Sequence, residues 1–214
     1  MITIYFLDYF KDRLVNKSDH VVLDLGAREG KYGLIAAKLG RDVLLAEPFL
    51  PNILKIHKAA QLENLHDKMT LVRNKISNKR SFEYESNKIK NSKIVLDDLI
   101  NYLPKDKFNQ SYKNAIVKID MNQADLKPII FDSAGSLFNK VNINLMLMKN
   151  WKKDASNNPL DKRIFTNQIQ KMISFLNKNN MTAYDLDGEY LEKENWTNWP
   201  NTIAWVKTNN LTKS

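Results

Sequence analysis

The strongest constraint on the fold of this chain is the stretch from Val21 to Gly33, where a strand, a glycine-rich turn and a helix follow one another. Four of its first five residues are apolar and only Asp24 interrupts them, which is typical of a buried parallel strand. Gly26 and Gly30 permit a tight turn and a close approach of the backbone to a ligand. The apolar residues that follow suit a helix packed on a sheet. Together these elements predict the first half of a nucleotide-binding βαβ unit.

A second strand at residues 42–47 follows at the spacing that such a unit requires. It ends in Glu47, and an acid about 20 residues past the glycine turn is placed to accept hydrogen bonds from both hydroxyls of a ribose. Phe49 comes next, where its ring either stacks on an adenine or caps the core. We expect a side chain at Gly26 to fill the space of the ligand while the fold is retained. The alternative is a turn that is only structural, since many buried strands end in glycine.

The rest of the chain continues as an α/β domain within its 214 residues. Apolar patterns predict further strands at 69–74, 114–120, 141–148, 181–186 and 202–206, and helices at 3–15, 51–64, 125–138 and 161–177. The segment 77–93 is polar and basic, with a short extended piece at 81–85. No helix separates the last two strands, which predicts an antiparallel hairpin at one sheet edge. We expect residues 1–18 to form a helix packed on the domain, and 209–214 to form a tail.

Two shorter predictions concern helices near the expected site. The helix that begins at Pro51 is expected to turn Leu54 and His57 inward. A short strand from Ile94 is expected to lead into a brief helix that Asp97 caps.

The strand at 114–120 is the most apolar after the first, and it also ends in an acid, Asp120. In open α/β sheets the carboxyl ends of the strands face the ligand crevice. Asp120 is therefore our candidate for orienting or deprotonating an acceptor hydroxyl. Lys118 lies two residues earlier on the same strand face, where we expect it to tune Asp120 or to pair with it.

Composition limits the classes of partner. The net charge of +9 favours anionic partners, namely nucleic acid, acidic glycans or a membrane surface. The basic residues concentrate in one segment, at Arg73, Lys75, Lys79, Arg80, Lys88, Lys90 and Lys93. A solvated loop explains that segment about as well as a binding surface does. The chain has no run of about 18 apolar residues, so we expect no transmembrane segment.

The residue types also bear on compartment and on metals. The chain has no cysteine, which excludes disulfides and zinc–sulfur sites, and we predict no metal. The lack of cysteine and of a signal peptide favours the cytoplasm. Asn-x-Ser/Thr triplets begin at Asn16, Asn109, Asn180, Asn195 and Asn210, which keeps a secretory route open.

Four motifs in order resemble the FkbM family of class I S-adenosylmethionine-dependent methyltransferases, over residues 20–207. The first is Asp24-Leu25-Gly26-Ala27-Arg28-Glu29-Gly30, similar to the family's Asp-x-Gly-Ala-Asn-x-Gly. The second is Glu47-Pro48, followed by a helix, with Asn52 a few residues later. The third is Leu96-Asp97-Asp98-Leu99. The fourth begins Lys118-Ile119-Asp120 and resembles Lys-Ile-Asp-x-Glu-Gly-x-Glu. The ending Trp199-Pro200-Asn201-Thr202 is also similar to that of eukaryotic members.

The resemblance implies an α/β, Rossmann-like fold with a mostly parallel seven-stranded sheet, an antiparallel edge hairpin and helices on both faces. It implies S-adenosylmethionine as the cofactor. It implies that the cofactor site comprises Asp24, Gly26, Ala27, Gly30, Glu47, Pro48, Phe49 and Asp97. Capping is the interpretation that we favour for Asp97. Catalysis is assigned to Asp120 with Lys118.

The implied activity is O-methylation of a hydroxyl on a small molecule or glycan. Two alternatives stay open: an RNA methyltransferase, because of the positive charge, and a catalytically impaired paralogue that still binds the cofactor. The second arises from departures in the fourth motif, where Asn122 and Gln123 replace Glu-Gly and Asp125 shortens the last Glu. Arg28 also replaces the usual Asn of the first motif.

Overall fold

The computed structural model describes residues 19–85, 88–106, 108–121, 128–151 and 159–208, without the side chains of 83–91, 159 and 161. Its strands are β1 (His20–Leu25), β2 (Val43–Ala46), β3 (Met69–Val72), β4 (Lys75–Ile76), β5 (Ser81–Glu85), β6 (Lys88–Ile94), β7 (Asn114–Ile119), β8 (Asn142–Lys149), β9 (Met181–Tyr184) and β10 (Thr202–Lys207). Its α-helices are α1 (Lys31–Lys38), α2 (Leu50–Leu62), α3 (Gly135–Lys140) and α4 (Pro159–Lys178). Four 3₁₀ helices span His66–Lys68, Leu96–Tyr102, Pro128–Ser133 and Lys193–Asn198.

The main sheet has seven strands in the order β3-β2-β1-β7-β8-β10-β9. The five strands from β3 to β8 are parallel, and β10 runs antiparallel to both β8 and β9. The predicted seven-stranded, mostly parallel sheet with an antiparallel edge hairpin is thereby confirmed. The strand order reverses at β1, because β2 pairs on one side of it and β7 on the other. Such a switch point opens a crevice at the carboxyl ends of the strands.

Strand β1 lies at the centre of the sheet and is buried along its whole length. Its side chains alternate between two apolar clusters, one on each face. Leu23 packs in the cluster that holds α3 and α4, whereas Val22 packs with Ala36 of α1 and Ile56 of α2. Burial on both faces explains why β1 is apolar except at His20 and Asp24. The predicted helices on both faces are present.

A separate three-stranded sheet, in the order β4-β6-β5, follows β3. The sequence predicted its extended piece at 81–85, but not β4 or β6. These strands are rich in lysine and asparagine, so they lack the apolar alternation that marks a strand. In the structure they are held by backbone pairing, with β4 parallel and β5 antiparallel to β6.

Two helix predictions need correction. Residues 128–138 do not form part of one continuous helix, since the 3₁₀ helix Pro128–Ser133 and α3 are separated at Ala134. Helix α2 buries Ile56 and Ala60, whereas His57 is exposed and Leu54 is 59% exposed. The apolar residues of α2 occur on more than one face, so its pattern did not decide which face packs. The predicted helix within 1–18, the tail at 209–214 and the Asn122–Asp125 stretch lie outside the described residues.

Candidate functional site

A cleft of about 970 Å³ opens at the carboxyl edge of the main sheet, at the switch point between β1 and β7. Its walls come from the ends of five strands and the segments that follow them. The lining residues are Gly26, Ala27, Arg28, Glu29, Lys31, Tyr32, Ala46, Glu47, Pro48, Phe49, Asn52, Asn74, Lys75, Ile76, Lys118, Asp120, Met121 and Lys149. Seven of the ten residues predicted for the site therefore line one cleft.

The turn after β1 is fixed by contacts to the neighbouring strands. The amides of Gly26 and Ala27 both donate to the Ala46 carbonyl, at 2.9 and 3.2 Å. The Asp120 amide donates to the Leu25 carbonyl at 3.0 Å, which brings the end of β7 against the turn. The ladder of strand hydrogen bonds thus continues past β1 on both sides and sets the shape of the cleft floor.

Both glycines of the turn have a positive φ, +74° for Gly26 and +78° for Gly30. A Cβ on Gly26 would lie 2.5 Å from the Asp120 carbonyl oxygen, and one on Gly30 would lie 2.7 Å from Ile56 Cγ1. The prediction that the fold is retained with a side chain at Gly26 therefore needs correction. The side chain would collide with the backbone after β7 before it filled any ligand space, so the fold itself is affected. Gly30 packs against α2 and is outside the lining.

Asp24 and Lys118 form a buried ion pair beneath the turn. They are register partners on adjacent parallel strands, and their side chains are 0% and 1% exposed. Lys118 Nζ donates to Asp24 Oδ1 at 2.8 Å and to the Gly26 carbonyl at 2.9 Å. The other Asp24 oxygen accepts from the Gly33 amide at 3.1 Å. Lys118 thus pairs with Asp24 and not with Asp120, and Asp24 supports the turn from below.

Tyr32, in the first turn of α1, covers this ion pair. The Lys118 ammonium lies 5.1 Å from the centre of its ring, within the range of a cation–π contact. Burial raises the pKa of the Tyr32 phenol to about 12, and the negative charges of Asp120 and Asp24 add to the effect. The phenol is therefore neutral at physiological pH.

Glu47 follows β2 directly and is nearly buried, with its carboxylate held by three donors. The Arg28 amide donates to Oε2 at 2.8 Å. The Phe49 amide at 3.0 Å and Asn52 Nδ2 at 3.2 Å donate to Oε1. A carboxylate accepts about four hydrogen bonds, so Oε2 retains acceptor capacity toward the cleft. Glu47 also fixes the turn after β1 to the start of α2.

Pro48 and Phe49 continue the wall beyond Glu47. Pro48 lines the cleft, and Phe49 is 60% exposed, so its ring does not cap the core. An exposed aromatic ring beside a cleft provides a surface on which a flat heterocycle can stack. The sequence analysis noted Asn52 only because it comes after Glu47-Pro48. In the structure Asn52 lies in the first turn of α2, which begins at Leu50, and it lines the cleft.

Arg28 connects two of the three acids that line the cleft, Glu47 and Asp120. Its amide binds Glu47, and its guanidinium Nη2 lies 3.5 Å from Asp120 Oδ1. The Arg28 side chain is 56% exposed and that of Asp120 only 6%. Asp120 therefore lies at the base of the cleft with a guanidinium above it. The sequence analysis noted Arg28 only as a departure from a motif. Its position within the predicted glycine turn was the signal that could have identified it as a cleft residue.

Asp97 does not join the cleft. Its Oδ1 accepts a hydrogen bond from the Leu137 amide at 2.7 Å, in the first turn of α3. The helix after β6 begins at Leu96, and Asp98 satisfies the Val95 amide at 3.0 Å. Asp97 is thus a helix-capping acid, as we favoured, but for α3. The cap of the nearer helix is Asp98, whose pKa is lowered chiefly by its hydrogen bonds from Arg80.

Sequence reasoning missed a second group of lining residues. Lys75 and Ile76 form β4 of the unpredicted small sheet. Asn74 ends the predicted strand at 69–74 and in the structure lies just before β4, where its Nδ2 donates to the Ser92 carbonyl at 3.3 Å. Lys149 ends β8, next to β7. Its position at the carboxyl end of a predicted parallel strand was the signal that could have identified it.

Two further features are absent from the described part of the chain. No group of three or more metal-binding side chains occurs there. No helix within those same ranges is both long and apolar enough to cross a membrane.

Solved structures with this fold share little sequence with the chain. A Clostridium thermocellum protein described as an rRNA methylase aligns with a TM-score of 0.54 and 12% identity, over 92% of this chain and 95% of that one. A Staphylococcus aureus protein described as a caffeoyl-CoA O-methyltransferase aligns with a TM-score of 0.53 and 12% identity, over 95% and 83%. A Streptococcus mutans protein described as a methyltransferase and solved in complex with SAH aligns with a TM-score of 0.53 and 10% identity, over 95% and 96%.

A scan against protein-family models finds no match, and a search of curated proteins finds none either. Membership of the FkbM family therefore stays a hypothesis that rests on the four motifs. The fold is shown by the sheet order and by these structural neighbours. It is the Rossmann-like fold of class I methyltransferases.

Proposed function

We propose that this protein is an S-adenosylmethionine-dependent methyltransferase that binds its cofactor in the cleft at the carboxyl ends of β1 and β2. The observation that carries the proposal is the position of Glu47, a nearly buried carboxylate with remaining acceptor capacity on the cleft wall. The solved methyltransferases with the same fold support it.

The chemistry of the lining fits the parts of this cofactor. Glu47 would accept from the ribose hydroxyls, and the exposed ring of Phe49 would stack on the adenine. Pro48 and Asn52 would complete that wall, and the backbone of Gly26 and Ala27 would lie against the amino-acid end. Asp24, Lys118 and Gly30 would act indirectly, because their contacts hold the shape of the turn.

Bound S-adenosylmethionine would supply an electrophilic methyl group on its sulfonium, with the neutral thioether as the leaving group in line with the acceptor nucleophile. The protein would then need to orient the acceptor and accept its proton. Asp120 is our candidate for that role, because it lies at the base of the cleft where β7 ends. Lys118 would be a positioning residue and not a proton carrier, since its three contacts are made below the turn.

The acceptor that we favour is a hydroxyl on a small molecule or glycan, as the FkbM resemblance implies. RNA is a second candidate, because the protein has a net charge of +9 and lysines line the cleft wall. RNA binding that weakens steeply with salt would favour the second candidate. Saturable cofactor binding without turnover on either class would instead indicate an impaired paralogue.

Calorimetry with S-adenosylhomocysteine (SAH), the product of such a reaction, tests the cofactor site. We expect saturable binding to the wild type, and a loss of about 10- to 100-fold in Glu47→Gln, because one charged acceptor is removed. Glu63→Gln is the matched control, since Glu63 lies on the surface and pairs with Lys38 at 2.8 Å. Equal affinity in the wild type and in Glu47→Gln would refute the site.

The catalytic part of the proposal needs a methyl-transfer assay over glycan, small-molecule and RNA acceptors. With any acceptor found, Asp120→Asn should lower the rate by about 10²- to 10⁴-fold and change SAH affinity far less. Turnover by Asp120→Asn at the wild-type rate would show that Asp120 is a structural acid.

A further inference from the structure

We propose that the guanidinium of Arg28 binds the α-carboxylate at the amino-acid end of the cofactor. This inference rests on the proposed function and names the group that recognises one end of the ligand. It concerns a residue at which this chain departs from the motif that it resembles.

The first step is the position of Arg28. It belongs to the turn after β1 and has φ of +54°, in the left-handed region. Its amide is fixed to Glu47 at 2.8 Å, while its side chain crosses toward Asp120 at the end of β7. Arg28 therefore spans the crevice at the switch point, between the wall assigned to the ribose and the base of the cleft.

The second step is the contact that Arg28 makes. A charge-assisted N–H···O bond usually measures about 2.7–2.9 Å. The distance of 3.5 Å from Nη2 to Asp120 Oδ1 is longer, and it uses one nitrogen only. A guanidinium has five N–H donors in a planar fork that matches a carboxylate in a bidentate pair. Its half-exposed head thus has donors left for an anionic group in the cleft.

The third step compares Arg28 with the other cations of the lining. Lys118 is fully buried and bonded to Asp24 and Gly26. Lys75 lies on the small sheet beyond β3, on the wall that continues past the ribose site. Lys31 lines the cleft at the start of α1, and Lys149 lines it at the end of β8. These two lysines are the rivals of Arg28 for the carboxylate.

The fourth step is charge balance. The amino-acid end of the cofactor carries an ammonium and a carboxylate. Asp120 carries a negative charge at the base of the cleft and would repel the carboxylate there. Arg28 supplies a positive charge within the same crevice, so the carboxylate meets a partner of opposite charge. Lys149 lies one strand farther from the turn, on the side left for the acceptor.

The test measures binding and needs no acceptor. Calorimetry compares SAH with its decarboxylated analogue, which differs by the missing carboxylate alone. The variant is Arg28→Asn, because asparagine tolerates the left-handed conformation of this position. Arg28→Lys keeps the charge, and Lys31→Ala and Lys149→Ala test the two rival cations. Thermal unfolding of each variant confirms that it is folded.

We expect Arg28→Asn to weaken SAH binding by about 10- to 100-fold and to leave the affinity for the decarboxylated analogue nearly unchanged. Arg28→Lys should recover part of the loss. In Lys31→Ala and Lys149→Ala, any change should be the same for SAH and for the decarboxylated analogue. An equal effect of Arg28→Asn on both ligands, or none on either, would overturn the inference. So would a carboxylate-dependent loss in Lys31→Ala or Lys149→Ala that Arg28→Asn does not show. Failure of the wild type to bind SAH would refute the proposed function itself.

Discussion

The two ends of the main sheet both carry polar side chains, but these side chains bond to different partners. At the amino end, side chains bond to one another near the surface. Asn114 donates to Asp19 at 2.8 Å, and Asn142 donates to Asn114 at 3.0 Å. At the carboxyl end, two acids accept from backbone amides: Asp24 from Gly33 in α1, and Glu47 from the two segments that it joins.

This difference has a consequence for function. Where a carboxylate is bonded to backbone amides, its position and the shape of the turn depend on each other. Glu47 illustrates this, since its carboxylate accepts hydrogen bonds from the amides of Arg28 and Phe49 and also lines the cleft. The amino-end bonds of Asn114 and Asn142 join exposed side chains, and neither residue lines the cleft. We therefore expect substitutions at the carboxyl end to change stability and binding together, and substitutions at Asn114 or Asn142 to change neither by much.

The largest effect on stability is expected for Lys118→Met. The change leaves Asp24 charged and buried without its cation, which typically costs about 3–5 kcal/mol. Urea unfolding measures the loss. Lys38→Met is the control, since the Lys38–Glu63 pair is about half exposed and such pairs contribute about 0–1 kcal/mol. Similar losses in the two variants would contradict the assignment of Lys118 as the support of the turn.

A second prediction compares two glycines of positive φ, Gly26 at +74° and Gly40 at +80°. A Cβ on Gly40 meets nothing within 4 Å, whereas one on Gly26 meets the Asp120 backbone. Gly26→Ala should therefore lose about 1–3 kcal/mol more than Gly40→Ala, because overpacking adds to the backbone strain that both share. Equal unfolding midpoints for the two variants would mean that the turn relaxes freely.

A third prediction concerns pH. The pKa of Tyr32 is raised from 10.0 to about 12 by burial and by Asp120 and Asp24. Between these values the unfolded chain loses the phenol proton and the folded protein keeps it, so stability falls as pH rises. We expect this decline to be about 1 kcal/mol smaller in Tyr32→Phe at a pH of about 11. Urea midpoints at a pH of about 9 and 11 test this, and parallel declines in the two proteins would refute it.

The smallest effect is expected at the amino end. Asn142→Ala removes exposed hydrogen bonds to Asn114 and Asn144. It should change the free energy of unfolding by less than about 0.5 kcal/mol and leave SAH affinity as in the wild type. A clear loss of SAH affinity in Asn142→Ala would break the distinction between the two ends.

The sequence predicted what depends on local patterns. Buried strands are marked by apolar runs, and the residues that end them, Glu47 and Asp120, follow directly from where those runs stop. The glycine turn and the final hairpin were predicted in the same way. These features needed no knowledge of which strand lies beside which.

What the sequence did not predict depends on pairing between distant residues. Lys118 bonds to Asp24 because β1 and β7 are neighbours in this register, although the two residues are 94 positions apart. The Asp97 bond to α3 is another long-range contact. The small sheet was missed because its strands are polar. The buried face of α2 was predicted wrongly because apolar residues occur on more than one face of that helix.

The most direct test of the account is to map SAH binding on the backbone by NMR of the isotope-labelled protein. We predict saturable shifts of the amides from Gly26 to Gly30 and from Glu47 to Asn52, while those of Asp19, Asn114 and Asn142 stay in place. This result would locate the ligand at the carboxyl end of β1 and β2. Saturable shifts confined to the amino end, or no shifts at any concentration of SAH, would contradict the central claim.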